Sequence, residues 1–232
     1  PLAAIESLAV AMNGVAGQND ARHSEIAARN EERIKEARTT ALSGNGGPMP
    51  PAFVAACLSD AMGDGDVVFS ELGAPLDVMD FKSPNTGFTT PFSGGLGWGM
   101  PAALGAALAD RDRVSIASVG DGSYIFANPV ACHQVAESLG LPLLTIVHNN
   151  GIWNAVRRAA VDVFPEGEAA KMNRMPITSL SPVPDCVGIA EASRGWAKRV
   201  EQGDQLPEAL ETALSVVRRE KKQALLEVMV SY

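Results

Sequence analysis

The sequence predicts an α/β fold: a doubly wound parallel sheet with helices on both faces, preceded by a helical connector. Three observations carry this expectation. First, short runs rich in apolar and β-branched residues (DVVFS at 66–70, RVSIASV at 113–119, PLLTIV at 142–147, ALLEVMV at 224–230) have strand length and are apolar enough for buried strands. Second, helix-forming segments separate these runs, and strands joined through a helix lie parallel and side by side. Third, a charge-rich helical stretch and the segment SGNGGPMPP at 43–51 stand before the first strand.

In chain order, residues 1–12 form a short helix, with Leu2, Ile5, Ala9 and Met12 on one stripe and Leu8 beside it. Residues 13–20 read as a loop. Residues 21–42, rich in Ala, Glu and Arg, form a long exposed helix whose charges are a solvated face. Residues 43–51 are a linker by composition. A helix at 52–62 leads to the first core strand at 66–70, and Glu71 follows as an exposed loop acid or a functional carboxylate. The glycine cluster 93–101 (SGGLGWGMP) precedes a helix at 102–109; it follows no clean strand and so does not fit a dinucleotide fingerprint. The strand at 113–119, a helix at 129–139 with Pro129 in its first turn, and the strand at 142–147 make one βαβ unit. A helix begins within 151–160. Residues 161–184 form a long proline-containing loop of the kind used as a lid or substrate wall. A helix at 185–195, a strand at 197–200, a helix at 205–219 and the strand at 224–230 close the domain, giving five or six parallel strands.

With 232 residues and 46 % hydrophobic content, the chain suits one large domain, or one domain with an appendage. A formal net charge of −8 disfavours nucleic acid and anionic membrane surfaces as partners. No apolar run reaches spanning length and no signal peptide is visible. Cys57, Cys132 and Cys186 are scattered, without a CxxC pair, as buried thiols in a reducing cytoplasm would be.

The chemistry concentrates at the strand ends of the βαβ unit. Asp121 and Asn150 both fall at the carboxyl edge of the sheet, where open α/β folds bind ligands. Gly120 and Gly122 let the backbone approach a ligand closely, and their N–H groups, with that of Ser123, can cradle phosphate oxygens. Asp121 offers a hard carboxylate oxygen, Asn150 an amide oxygen and Ile152 a backbone carbonyl. Few protein oxygens, completed by phosphates and water, is the pattern Mg²⁺ favours. The unit therefore reads as a Mg²⁺–diphosphate site. Arg157 and Arg158 are surface charges or reach a substrate carboxylate, and His148 is a strand-end histidine satisfied by hydrogen bonds.

Gly120-Asp121-Gly122, then 26 residues, then Asn149-Asn150, resembles the diphosphate motif of thiamine-diphosphate-dependent enzymes. The resemblance covers roughly residues 50–232 and is closest to the acetohydroxyacid synthase, benzoylformate decarboxylase and benzaldehyde lyase group. It implies thiamine diphosphate and Mg²⁺ as cofactors. It also implies a Mg²⁺ held by Asp121, Asn150 and the Ile152 carbonyl, and a 2-keto acid or related acyl donor as substrate. Gly94 and Gly95 would approach the aminopyrimidine, and Leu96, 25 residues before Asp121, would wedge beneath the bent cofactor. The synthases and benzaldehyde lyase usually carry Met at that position, and benzoylformate decarboxylase carries Leu. Residues 1–49 would connect from a preceding domain, and 50–232 would be the cofactor's diphosphate domain. The activating glutamate, absent here, would come from a pyrimidine-binding domain of the same enzyme or of a partner subunit, in what is expected to be a cytoplasmic homo-oligomer. A non-catalytic or partner-dependent subunit that retains the cofactor-binding fold is the alternative.

Overall fold

The computed structural model describes residues 2–13, 20–92, 95–172, 175 and 177–231. The chain runs α1 (Leu2–Met12), α2 (Asp20–Leu42), α3 (Pro51–Ala61), β1 (Val67–Glu71), β2 (Gly87–Thr89), α4 (Gly99–Ala109), β3 (Ser115–Gly120), α5 (Asp121–Phe126), α6 (Pro129–Leu139), β4 (Leu143–Asn149), α7 (Asn154–Val163), α8 (Glu168–Lys171), α9 (Cys186–Ala192), β5 (Trp196–Val200), α10 (Leu206–Ser215) and β6 (Ala224–Met229). The six strands form one all-parallel sheet in the order β2-β1-β3-β4-β6-β5.

The inner strands β1, β3, β4 and β6 are buried on both faces, so consecutive residues feed two different cores. Ile116, Leu144, Ile146, Leu226 and Val228 face a core built with α3 and α10. Ala117, Val119, Leu143, Val147 and Leu225 face a second core built with α4, α6 and α9. This period-two division of continuous apolar runs is the physical content of the doubly wound arrangement. Pro129 opens α6 at its first turn and Gly140 closes it in the left-handed conformation (φ 58°), which explains the sharp boundaries read from the sequence.

Several elements differ from expectation. β2 was not anticipated, because three exposed residues on a sheet edge carry no hydrophobic pattern. α4 starts at Gly99 and not at 102, since the turn before it is held by a side chain described below. The stretch 121–126, to which the sequence assigns no element, is a short helix leading directly off β3. The segment 161–184 carries the end of α7, then α8, then an antiparallel bridge from Ser179 to Ile152. The last helix ends as a π turn at Val216–Glu220.

The segment 43–51 is tied to the sheet and is not a free linker. Met49 is fully buried and pairs in parallel with Val230; its N–H donates to the Met229 carbonyl (2.9 Å) and its carbonyl accepts from Ser231 N–H (3.0 Å). Composition could not show this, because the pairing partner lies at the other end of the chain. Upstream, Ala41 of α2 enters the core and Arg38 pairs with Asp60 of α3, whereas α1 buries no residue at all.

Candidate functional site

The site forms where β3 and β4 end. Their parallel register sets Gly120 beside His148, so the next residues of each strand, Asp121 and Asn149–Asn150, leave the sheet at the same edge. Asp121 opens α5 and is 3 % exposed. Its Oδ1 accepts the Gly122 N–H (2.8 Å), and its Oδ2 accepts the N–H groups of Gly151 (2.8 Å) and Asn150 (3.2 Å). Burial pushes the Asp121 carboxyl above the usual carboxylate range, opposed by these backbone N–H groups. No cation is paired with it among the described residues.

Asn150 curls back so that its Oδ1 accepts the Ile152 N–H (2.9 Å). The Ile152 carbonyl accepts from Asn154 N–H (2.9 Å), and the Trp153 N–H donates to Thr178 (2.7 Å). Asp121, Asn150 and Ile152 share one cavity of about 210 Å³ with Leu96, Gly120, Gly122, Ser123, Trp153 and Arg158. The structure thus brings together seven of the nine residues expected to bind the cofactor or its metal, with Arg158 beside them. Gly95 is exposed beside Leu96 and outside the cavity lining, and Gly94 lies outside the described residues.

Two details refine the expected phosphate cradle. The Gly122 N–H is taken by Asp121, so it organises the carboxylate and is not turned to a ligand. Ser123 is 2 % exposed, and its Oγ has no hydrogen-bond partner among the described residues. A buried hydroxyl left unpaired is costly, and Ser123 is one of the residues lining the cavity. Gly122 also lies under the Trp153 ring, which stands edge-on to Phe126 at 5.5 Å.

Glu71 is corrected from an exposed loop acid to a buried one, 1 % exposed at the end of β1. Its carboxylate accepts the Gly97 N–H (2.6 Å) and the Gly99 N–H (2.5 Å), fixing the turn that carries Leu96. Gly97 is left-handed there (φ 91°), and a Cβ would strike the Phe126 backbone at 2.6 Å. Met100 is fully buried, Trp98 is half-buried and packs edge-on against Phe69, and Leu96 is the most exposed apolar residue of the turn. His148 has one ring nitrogen bound, Nε2 with Ser118 Oγ at 2.9 Å, while its Nδ1 is unpaired among the described residues. His133, which the sequence left without a role, links Tyr124 of α5 (2.8 Å) to Gln223 (2.7 Å). Neither Glu71 nor His133 was legible, because the partners of each lie at sequence distances no local pattern reports. Arg158 reaches the cavity wall; Arg157 lines the neighbouring one with Met175 and Thr178.

A parallel α/β sheet with a buried acid, an amide and an unpaired hydroxyl around a cleft at its carboxyl edge defines a ligand-binding α/β domain. The family described as thiamine pyrophosphate enzyme, C-terminal TPP binding domain, matches residues 69–228, and the chain belongs to it. It is 34 % identical over 125 residues to a benzoylformate decarboxylase of Pseudomonas aeruginosa, covering 52 % of this chain and 23 % of that protein. It is 31 % identical over 173 residues to an alpha-keto-acid decarboxylase of Mycolicibacterium paratuberculosis, covering 73 % of this chain and 28 % of that one. Among solved structures, a thiamine diphosphate-dependent 4-hydroxybenzoylformate decarboxylase of Rhodococcus jostii superposes with a TM-score of 0.64 at 26 % identity, over 82 % of this chain and 33 % of that chain. The chain therefore spans about a quarter to a third of the length of these relatives.

Proposed function

We propose that this chain is the diphosphate- and Mg²⁺-binding domain of a thiamine-diphosphate-dependent enzyme that acts on 2-keto acids by decarboxylation, carboligation or both. One observation carries the reading: Asp121, whose buried carboxylate has no cation partner among the described residues, and Ser123, whose buried hydroxyl has no hydrogen-bond partner among them, line the same cavity. A divalent cation with a diphosphate supplies what both lack, a positive charge for Asp121 and oxygen acceptors for Ser123. In this reading Asp121, the Asn150 amide oxygen and the Ile152 carbonyl hold the Mg²⁺, and Ser123 binds the diphosphate. Leu96, held by the Glu71-braced turn, packs against the ring system. The bound cofactor supplies the electron sink for bond cleavage beside a carbonyl. The protein holds and orients it and excludes water from the cleft.

The alternative of a partner-dependent subunit draws support from Glu71. Both of its oxygens are committed to backbone N–H groups, so it does not serve as the cofactor-activating acid. That acid and the second wall of the pocket would come from a pyrimidine-binding domain, in the same enzyme or in another copy. The exposed Leu96, Phe126 and Val156 around the site suit such a contact.

Calorimetric titration with thiamine diphosphate and Mg²⁺ tests the site. Asp121→Ala should abolish Mg²⁺-dependent binding while its circular dichroism stays that of the wild type. Unchanged affinity in the variant overturns the assignment.

A further inference from the structure

Beside the proposed cation site, β6 carries a carboxylate with no access to water at all. Glu227 is 0 % exposed. Its Oε2 accepts from Nε of half-exposed Arg199 on β5 (2.9 Å), and its Oε1 accepts from Nδ2 of Asn149 at the end of β4 (2.7 Å). Asn149 is itself buried, and its Oδ1 accepts the Gly151 N–H (3.0 Å). That same N–H is shared with Asp121 Oδ2. A continuous polar chain therefore runs Arg199–Glu227–Asn149–Gly151–Asp121 across three strands and into α5.

We infer that Asn149 is a positioning residue, locked by Glu227 and Arg199, that sets the Gly151 peptide and through it the Asp121 carboxylate and the Asn150–Ile152 turn. The inference deepens the proposed function and rests on it for the identity of the ligand, though not for the geometry. The amide has only one orientation that satisfies both ends, with Nδ2 toward a carboxylate and Oδ1 toward an N–H. Glu227 thus decides which way Asn149 faces. A buried carboxylate in mid-strand is costly unless paired, and replacing such a group with an apolar one is often tolerated, so its place beside the site favours an orienting role. Gly151 adopts φ 70°, a conformation that suits glycine and leaves its N–H available to both oxygens. Groups behind the ligands of a metal typically change affinity 10- to 100-fold when removed.

The test uses the full chain in five forms: wild type, Asn149→Ala, Glu227→Gln, the double variant, and Asp66→Asn. Asp66 is a buried carboxylate paired with Arg218 at the opposite edge of the sheet, so it controls for the loss of an ion pair as such. Amide hydrogen exchange at Gly151, followed by NMR, needs no cofactor. Mn²⁺ affinity in the presence of thiamine diphosphate, read by paramagnetic relaxation, is the second measurement. Each single variant should lower Gly151 protection and weaken Mn²⁺ roughly 10- to 100-fold. The double variant should be no worse than the poorer single one, because the two residues act as a unit. Asp66→Asn should change neither. Unchanged Gly151 protection in Asn149→Ala, fully additive losses, or an equal effect from Asp66→Asn would overturn the inference. If Glu227→Gln does not fold, Asn149→Ala alone decides it through Gly151 exchange. Wild-type chain that binds no Mn²⁺ while Asn149→Ala still loses Gly151 protection would sink the proposed function and leave the positioning role standing.

Discussion

Gly122 has no room for a side chain. A Cβ there would lie 2.3 Å from Cζ3 of Trp153, whose ring also lines the cavity. Gly122→Ala should therefore cost about 1–3 kcal/mol of stability, the usual range for overpacking, and weaken cofactor binding as Trp153 shifts into the cleft. Urea unfolding checks the first part and calorimetry the second; a wild-type urea midpoint would show that the ring yields freely. A second residue sets a pH response. Burial pushes His148 from its ordinary 6.5 down to about 3, so it is neutral in the fold. Between those values the unfolded chain binds the extra proton and the folded chain does not. This contribution to stability is complete above pH 6.5 and is lost progressively as pH falls toward about 3. His148→Gln, which keeps a partner for Ser118 but does not titrate, should show a flatter decline of Tm from pH 6.5 downward. Parallel curves for the two proteins would refute this. At this scale the sequence made legible that Asp121 and Asn150 meet at one sheet edge, because each follows the end of one of two neighbouring strands. It left Glu71 misread, because nothing local reveals that an acid after a strand turns back onto two N–H groups 26 and 28 residues away.

Among elements, α5 is the one that places the site. It is only six residues long and is anchored through Tyr124, His133 and Gln223, a buried polar chain reaching α6 and the approach to β6. Burial holds His133 below its ordinary pKa, so its ring is neutral and can accept from the Tyr124 hydroxyl while donating to Gln223. The helices before the sheet divide differently from the expectation of one connector. α1 exposes Leu2, Ile5, Leu8, Val10 and Met12, and α2 contributes Ala41 and the Arg38–Asp60 pair. Deleting residues 1–13 should thus change the unfolding free energy by less than about 0.5 kcal/mol, as surface changes do. Deleting 1–45 should lower Tm by several degrees, because it uncovers α3. Equal Tm for both truncations would place the whole segment 1–45 outside the domain. Helix ends were legible where Pro129 and Gly140 mark them; β2 and the Met49–Val230 pairing were not, since edge strands and single bridges leave no periodic trace.

For the whole molecule, the proposed function implies dependence on another domain. The chain spans 23 % and 28 % of the two curated relatives described, and the cleft presents apolar side chains at its rim. Purified chain with thiamine diphosphate, Mg²⁺, and pyruvate or benzoylformate should show no turnover, and a co-expressed pyrimidine-binding domain should restore it. Robust turnover by the chain alone would require an activating acid within it and would overturn the proposed partner dependence. No helix among the described residues is long and apolar enough to cross a membrane.

By itself, the sequence determined the parallel α/β class, the family motif and the sheet edge at which Asp121 and Asn150 meet. These follow from properties written locally: strand-length apolar runs, glycines at a turn, and an acid and an amide at two strand ends. Only the tertiary structure decided the orientation of those groups. Asp121 is aimed by N–H groups from the turn after β4, the turn that carries Leu96 by a carboxylate from β1, and Asn149 by the buried Glu227 of β6, which is paired with half-exposed Arg199 of β5. Each of these contacts joins residues that chain distance keeps apart and sheet register brings together, so the directional, short-range hydrogen bonds that shape the site exist only once the strands have paired.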